Sequence, residues 1–256
     1  MPFVAFHEQM ANHYDKTAAA PVKGPAARAA LVAVISTRAD LERASRLRRP
    51  PEFFELRLDC LWRQLTRVEA SQRNLRAPLI ATARHPREGG RNHLTAAQRR
   101  ALLLRFLPEV ALVDVELRSA RERRAVLETA DALGVKRIIS VHDFQLAPPG
   151  DQMRRQAEAA RALGADVFKI AVRTDTESQL ERLRAFFQKE CEAGVMAISA
   201  MGIGKLGWAS RLEFAQRGSV LNYVHLGRTR VPGQLSLAEM HGALARSRRA
   251  QSRTIS

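Results

Sequence analysis

A chain of 256 residues with 46% hydrophobic content can bury one sizeable core, and it suits a single large α/β domain better than two small ones. It holds no apolar run near the ~20 residues that cross a bilayer and no secretory-type start. Its two cysteines, Cys60 and Cys191, are too few for a disulfide framework or a metal-ligand set, and they read as reduced thiols, Cys60 as a small buried residue. The net charge of +16 would attract any polyanion, but the arginines are spread over nearly every helical segment and aromatics are only 5%, which leaves little to stack bases; the expectation is a soluble, cytoplasmic protein with no membrane partner and no specific nucleic acid.

Residues 1–28 show no sustained period and include an Ala/Pro/Gly/Lys stretch, Thr17 to Ala27, that reads as a flexible arm. Short β-branched runs follow at Leu31–Ser36, Phe53–Leu58, Leu79–Ala83, Leu112–Leu117, Arg137–Val141, Asp166–Val172, Val195–Ser199 and Ser219–His225. Between them lie segments with apolar residues at three- and four-residue steps, such as Ala96–Leu107, Ala120–Leu133, Gln152–Leu163 and Glu177–Glu192. Gly134, Gly164, Gly194 and Gly218 each fall after a helical segment and before a strand, where a left-handed cap ends a helix. The repeated unit is strand, loop, helix, Gly. Eight such units predict a (β/α)8 TIM barrel over residues 29–246, ahead of a doubly wound sheet, because no Gly-rich dinucleotide turn follows the first strand. The last ten residues, 247–256, read as a frayed basic tail.

Barrel strands carry their chemistry at the C-terminal end, and there several runs turn polar. The second reads Glu55-Leu56-Arg57-Leu58-Asp59; alternation predicts all three charges inward, which is costly unless they are paired or bound to a ligand. The third ends at Thr82-Ala83-Arg84, ahead of Glu88-Gly89-Gly90, and the fifth at Ser140-Val141-His142-Asp143-Phe144. The sixth is apolar except for Lys169. Burial lowers a lysine pKa, and a lysine that is neutral part of the time attacks ketones. A structural lysine paired with Glu55 inside the barrel is the plainer reading. Together, an interior lysine, a histidine on the adjoining strand and several arginines suit imine chemistry on a keto acid.

These residues resemble the type I 3-dehydroquinate dehydratase family. The match runs from about Leu31 to Met240, through Glu55–Asp59, Arg84 with Glu88-Gly89-Gly90, Ser140–Phe144, Lys169-Ile170-Ala171-Val172, Met201-Gly202, Ser210-Arg211 and Pro232-Gly233-Gln234. The resemblance implies a barrel enzyme that dimerises and needs no metal or organic cofactor. It implies 3-dehydroquinate as substrate, Lys169 as the imine-forming lysine, His142 as general acid and base, and Glu88 as the group that orients His142. Arg211 is implied to hold the carboxylate, Glu55, Arg57, Arg84 and Gln234 the ring hydroxyls, and Met201 to pack on the ring, with Ser36 and Tyr223 as looser matches. Arg230 stands two positions before Pro-Gly-Gln, where many relatives carry Ser or another small residue, and Arg173-Thr174 stands where relatives often have Met-Pro. Two other readings remain at this stage: another lysine-imine barrel, such as an aldolase, and a basic nucleic-acid-binding protein on a catalytically retired barrel.

Overall fold

The computed structural model describes residues 29–229 and 231–254; the expected arm, residues 1–28, lies outside the described residues. Strands and principal helices alternate as β1 Ala30–Ile35, α1 Arg38–Arg46, β2 Phe53–Arg57, α2 Leu65–Gln72, β3 Leu79–Thr82, α3 Ala96–Phe106, β4 Leu112–Glu116 and α4 Arg124–Ala132. They continue as β5 Lys136–Asp143, α5 Gly150–Ala162, β6 Val167–Arg173, α6 Glu177–Ala193, β7 Ala197–Ile203, α7 Gly207–Gln216, β8 Leu221–His225 and α8 Leu237–Thr254. Gly134, Gly164, Gly194 and Gly218 are all left-handed, with φ between 61° and 100°, so the expected punctuation is present. Capping boxes at Thr95/Gln98 and Thr176/Gln179 start α3 and α6 just after their mouth loops.

The strands pair in the order β7-β6-β5-β4-β3-β2-β1-β8, and every ladder is parallel. The last seam, between β7 and β8, is closed differently. Val220 N–H donates to the Ile198 carbonyl at 3.0 Å, Ser199 Oγ donates to the Leu221 carbonyl at 2.5 Å, and Ala200 N–H donates to Ser219 Oγ at 3.2 Å. Buried serines do part of the work that ladder bonds do elsewhere. The expected (β/α)8 barrel is the architecture observed.

Two apolar layers hold it. The outer one packs the helices on the strands through residues such as Leu56, Phe106, Phe168, Phe187 and Phe214, each contributing ~1.5–3 kcal/mol on burial. The inner one fills the lumen with Val32, Ile80, Leu112, Ile138, Val167 and Leu221. Charged side chains occupy the lumen beyond this floor, toward the strands' C-terminal ends.

Several expectations need correction. β2 ends at Arg57 and the chain turns at once into a helical turn, Leu58–Leu61, so the strand alternation does not reach Asp59. That residue is buried and clamps the loops instead, accepting from Arg57 at 2.9 Å and from the backbone N–H groups of Arg84 and Arg91 at 3.2 and 2.9 Å. β7 begins at Ala197 rather than Val195, which is exposed, and runs on to Ile203. α8 continues to Thr254, so residues 247–254 are helical backbone rather than a frayed tail. Cys60 is half-buried, its thiol donating to Asp59 at 3.6 Å, and Cys191 is exposed.

Candidate active site

Lys169 projects from the middle of β6 into the lumen. It is 3% exposed, and its Nζ lies 3.0 Å from Asp114 Oδ2 on β4 and 3.5 Å from Glu55 Oε1 on β2. It also sits 3.6 Å from the centre of the Tyr223 ring on β8. A side chain on β6 that meets groups on β2, β4 and β8 crosses the barrel interior. Burial lowers the amine's pKa and nearby Arg84 lowers it further, while Asp114 and Glu55 oppose the shift without cancelling it. Proton loss from this amine is therefore easier than from one in water.

Asp114 itself carried no weight in the sequence reading. Its carboxylate accepts two bonds from Arg84, at 3.0 and 2.8 Å, and one from Ser140 at 2.6 Å. Burial alone raises a carboxyl pKa, but Arg84 and Lys169 outweigh it and hold Asp114 well below the usual range. Thr82 donates to Glu55 at 2.8 Å. Arg84 is thus committed to protein partners, Asp114 and Ser140, rather than left open as a bare hydroxyl donor.

His142 lies one step from the end of β5, next to Ala171 in the β5–β6 ladder and so two residues beyond Lys169. Its Nδ1 is 3.1 Å from Glu88 Oε2, which also accepts the His142 backbone N–H at 3.0 Å. Glu88 reaches it from a single turn, Pro86–Glu88, ended by Gly89 at φ 82°. A Cβ at Gly89 would meet the Phe144 ring at 2.9 Å, and one at Gly90 would strike the Arg84 carbonyl at 2.1 Å. The Glu-Gly-Gly run therefore lets this loop fold tightly enough to bring Glu88 to the histidine. Burial raises the Glu88 pKa to about 7, against the pull of Arg84. Burial, with Arg84 and Lys169 adding like charge, pushes His142 well below its ordinary value. At neutral pH the ring is uncharged; with its proton on Nδ1 facing Glu88, Nε2 keeps a free lone pair.

Arg211, on α7, is 4% exposed and has no acidic partner among the described residues. It donates to the carbonyls of Gly202 and Tyr223, each at 3.2 Å, and lies 3.5 Å from Met201 Sδ. Burial pulls its pKa down to about 10, so it remains a cation at pH 7. A buried, uncompensated guanidinium of this kind is a receptor for an anion.

A cavity of about 510 Å³ opens at the mouth, bordered by Ser36, Arg57, Gly89, Phe144, His225, Arg228 and Gln234 among others. Arg57 stands two residues beyond Glu55, and His225 two beyond Tyr223, so this space lies one layer above the lysine. Ser36 bonds Asp40 at 3.2 Å. Gln234 Oε1 accepts from Thr229 at 3.1 Å, and the Thr229 hydroxyl also accepts the Val231 N–H at 3.1 Å. Arg230 lies outside the described residues. Lys169, His142, Glu88, Glu55, Arg84, Met201, Arg211 and Tyr223 are thus gathered within or beside the lumen, while Ser36, Arg57 and Gln234 line the mouth. His225 and Arg228 join the mouth without having been singled out as contacts. For Asp114 the signal existed: Asp114 and Glu116 alternate with Val113 and Val115 as Glu55 and Arg57 alternate with Phe54 and Leu56 on β2.

Comparison with known proteins agrees with this geometry. The family profile described as type I 3-dehydroquinase matches residues 29–250. A 3-dehydroquinate dehydratase of Methanosarcina barkeri is 32% identical over 231 residues, covering 83% of this chain and 92% of that protein. One from Shouchella clausii is 30% identical over 171 residues, covering 65% of this chain and 67% of that protein. Among solved structures, a type I 3-dehydroquinate dehydratase of Clostridium difficile, with covalently modified comenic acid, superposes with a TM-score of 0.77 at 24% identity, covering 87% of this chain and 93% of that one.

Proposed function

Because this chain belongs to the type I 3-dehydroquinase family, we propose that it dehydrates 3-dehydroquinate to 3-dehydroshikimate, as a hydro-lyase of the shikimate route to aromatic amino acids, through an imine on Lys169. The neutral Lys169 amine adds to the substrate ketone, and loss of water leaves the imine. The imine withdraws electrons from the adjacent carbon, and His142 Nε2 takes a proton from it. The resulting enamine expels the hydroxyl one carbon further on, which leaves as water with the proton that His142 returns. A second water then hydrolyses the product imine and frees the lysine.

Glu88 keeps Nδ1 of His142 protonated and its ring fixed through both proton transfers. Asp114 stays ionised beside Arg84 and steadies the lumen as the lysine changes state. Arg211 holds the substrate carboxylate. Glu55, Arg57 and Gln234 hold the ring hydroxyls, Arg84 acts on them chiefly through Asp114 and Ser140, and Met201 and Tyr223 pack on the ring. Ser36 borders the mouth, and Arg230 is a further substrate contact. The same reading carries a cytoplasmic homodimer, which light scattering on the purified protein checks.

The observation that supports this most is a buried amine held between two carboxylates, two residues along the β5–β6 ladder from a histidine backed by a carboxyl group. Borohydride added with 3-dehydroquinate should fix a substrate-derived mass on the Lys169 peptide, and Lys169→Ala should show none. An adduct elsewhere, or turnover surviving in Lys169→Ala, rejects the mechanism.

A further inference from the structure

The Tyr223 ring covers the reacting nitrogen, a contact that packing against the substrate does not explain. Lys169 Nζ stands 3.6 Å from the centre of the ring, with Asp114 Oδ2 at 3.0 Å and Glu55 Oε1 at 3.5 Å. Both side chains are buried, so water does little to weaken the attraction between a cation and the negative face of the ring. The ring is also held in place. Tyr223 pairs with Val32 in the β1–β8 ladder, and the Tyr223 carbonyl accepts from Arg211 at 3.2 Å and from Gln234 at 3.4 Å.

The phenol oxygen has no task in the resting barrel. It is buried and meets no hydrogen-bond partner among the described residues. Burial raises its pKa well above the usual value, and Glu55 and Asp114 raise it further, against the pull of Arg84. The phenol therefore keeps its proton at pH 7, which leaves the face of the ring as its chemically useful surface.

Imine formation changes what the nitrogen can bond. An ammonium carries three N–H donors and can serve both carboxylates at once. An iminium nitrogen carries one N–H, so one carboxylate loses its bond while the positive charge remains. An aromatic face needs no N–H, and its attraction survives the change. We propose that Tyr223 is a catalytic residue, its ring face stabilising the cationic iminium on Lys169 relative to the neutral amine. This role presupposes the Lys169 imine proposed for the reaction and concerns what steadies its charge.

The experiment varies the negative potential of the face and keeps its shape. Tyr223→Phe is the reference, a change that removes a buried, unbonded hydroxyl and costs the fold little. The same position then carries mono-, di- or trifluorophenylalanine in the full chain, each fluorine draining negative potential from the face. Borohydride fixation on the Lys169 peptide is followed with 3-dehydroquinate below saturation. The pH is held above the point at which the free amine titrates, so that neutral amine is the starting state. The second-order rate constant for fixation should fall stepwise with fluorine number, by about 10–30-fold in all, the worth of a desolvated cation–aromatic contact. A rate independent of fluorine number, with the adduct still formed, overturns the role of the face and leaves the imine standing. No adduct in wild type overturns both.

Discussion

Lys169 and Arg211 are both buried cations, 3% and 4% exposed, yet their surroundings differ in kind. Lys169 faces two carboxylates within 3.5 Å, whereas Arg211 donates only to backbone carbonyls and approaches a thioether. Neutralising carboxylates make the lysine tolerable inside the resting barrel. The arginine is left for an incoming anion, and the fold carries the cost of its burial until one arrives. A buried charge that the protein balances itself belongs to the machinery; one that it leaves unbalanced advertises a ligand.

The contrast can be broken at four points. Asp114→Ala removes the group that answers both Lys169 and Arg84, and should destabilise the fold by about 3–5 kcal/mol in urea melts; a loss under ~1 kcal/mol would mean that the cluster is not electrostatically coupled. Arg211→Met should behave oppositely. Its stability should stay within about 1 kcal/mol of wild type, while kcat/KM for 3-dehydroquinate falls about 10²–10³-fold, mainly through KM. A large stability loss with unchanged KM would make Arg211 a structural residue.

Glu88 supplies the third point. Its folded pKa is raised to about 7 from an ordinary 4.5, so between those values the folded state binds more protons than the unfolded one. Its share of stability is therefore full below pH 4.5 and lost as pH climbs through 7, by up to about 3 kcal/mol. His142, depressed by burial, works the other way, its share rising as pH climbs toward 6.5. Glu88→Gln isolates the first effect: relative to this variant, wild type should lose stability between pH 4.5 and 7.5, and parallel pH curves would refute it. Smallest is Thr229→Val, which removes the hydroxyl bonded to Gln234 and should raise KM about fivefold, the worth of one hydrogen bond, with kcat unchanged.

Much of the barrel was legible because βα units repeat, and a repeated signal survives error in any one unit. The four glycine caps, and the lone lysine in an apolar strand, needed no tertiary information. Strand ends were harder. Alternation predicted Asp59 to face inward with Glu55 and Arg57, but the chain leaves the sheet after Arg57, and parity has no meaning beyond a strand's last residue. Arg84 was read as open to substrate, since a sequence cannot show that Asp114, 30 positions away, already occupies its guanidinium. The same long separation hid the pairing of Lys169 with Asp114. Glu88 was found through the family pattern; its bond to His142 depends on a loop folded back through Gly89 and Gly90, which no local period reveals.

The joint between β7 and β8 has a consequence for motion. It holds one backbone bond and two serine side chains among the described residues, whereas β5 and β6 share a ladder of six residue pairs. Local opening begins where the cross-links are sparsest. Parting there would carry the Tyr223 ring, on the strand farthest from β6 in the ladder order, away from the lysine, while Glu55 and Asp114 lie on strands nearer to β6 and follow it more closely. The barrel is in effect a split ring whose gap falls beside its reactive amine, so it can loosen its hold on a ring-shaped guest without unbalancing the charges beneath.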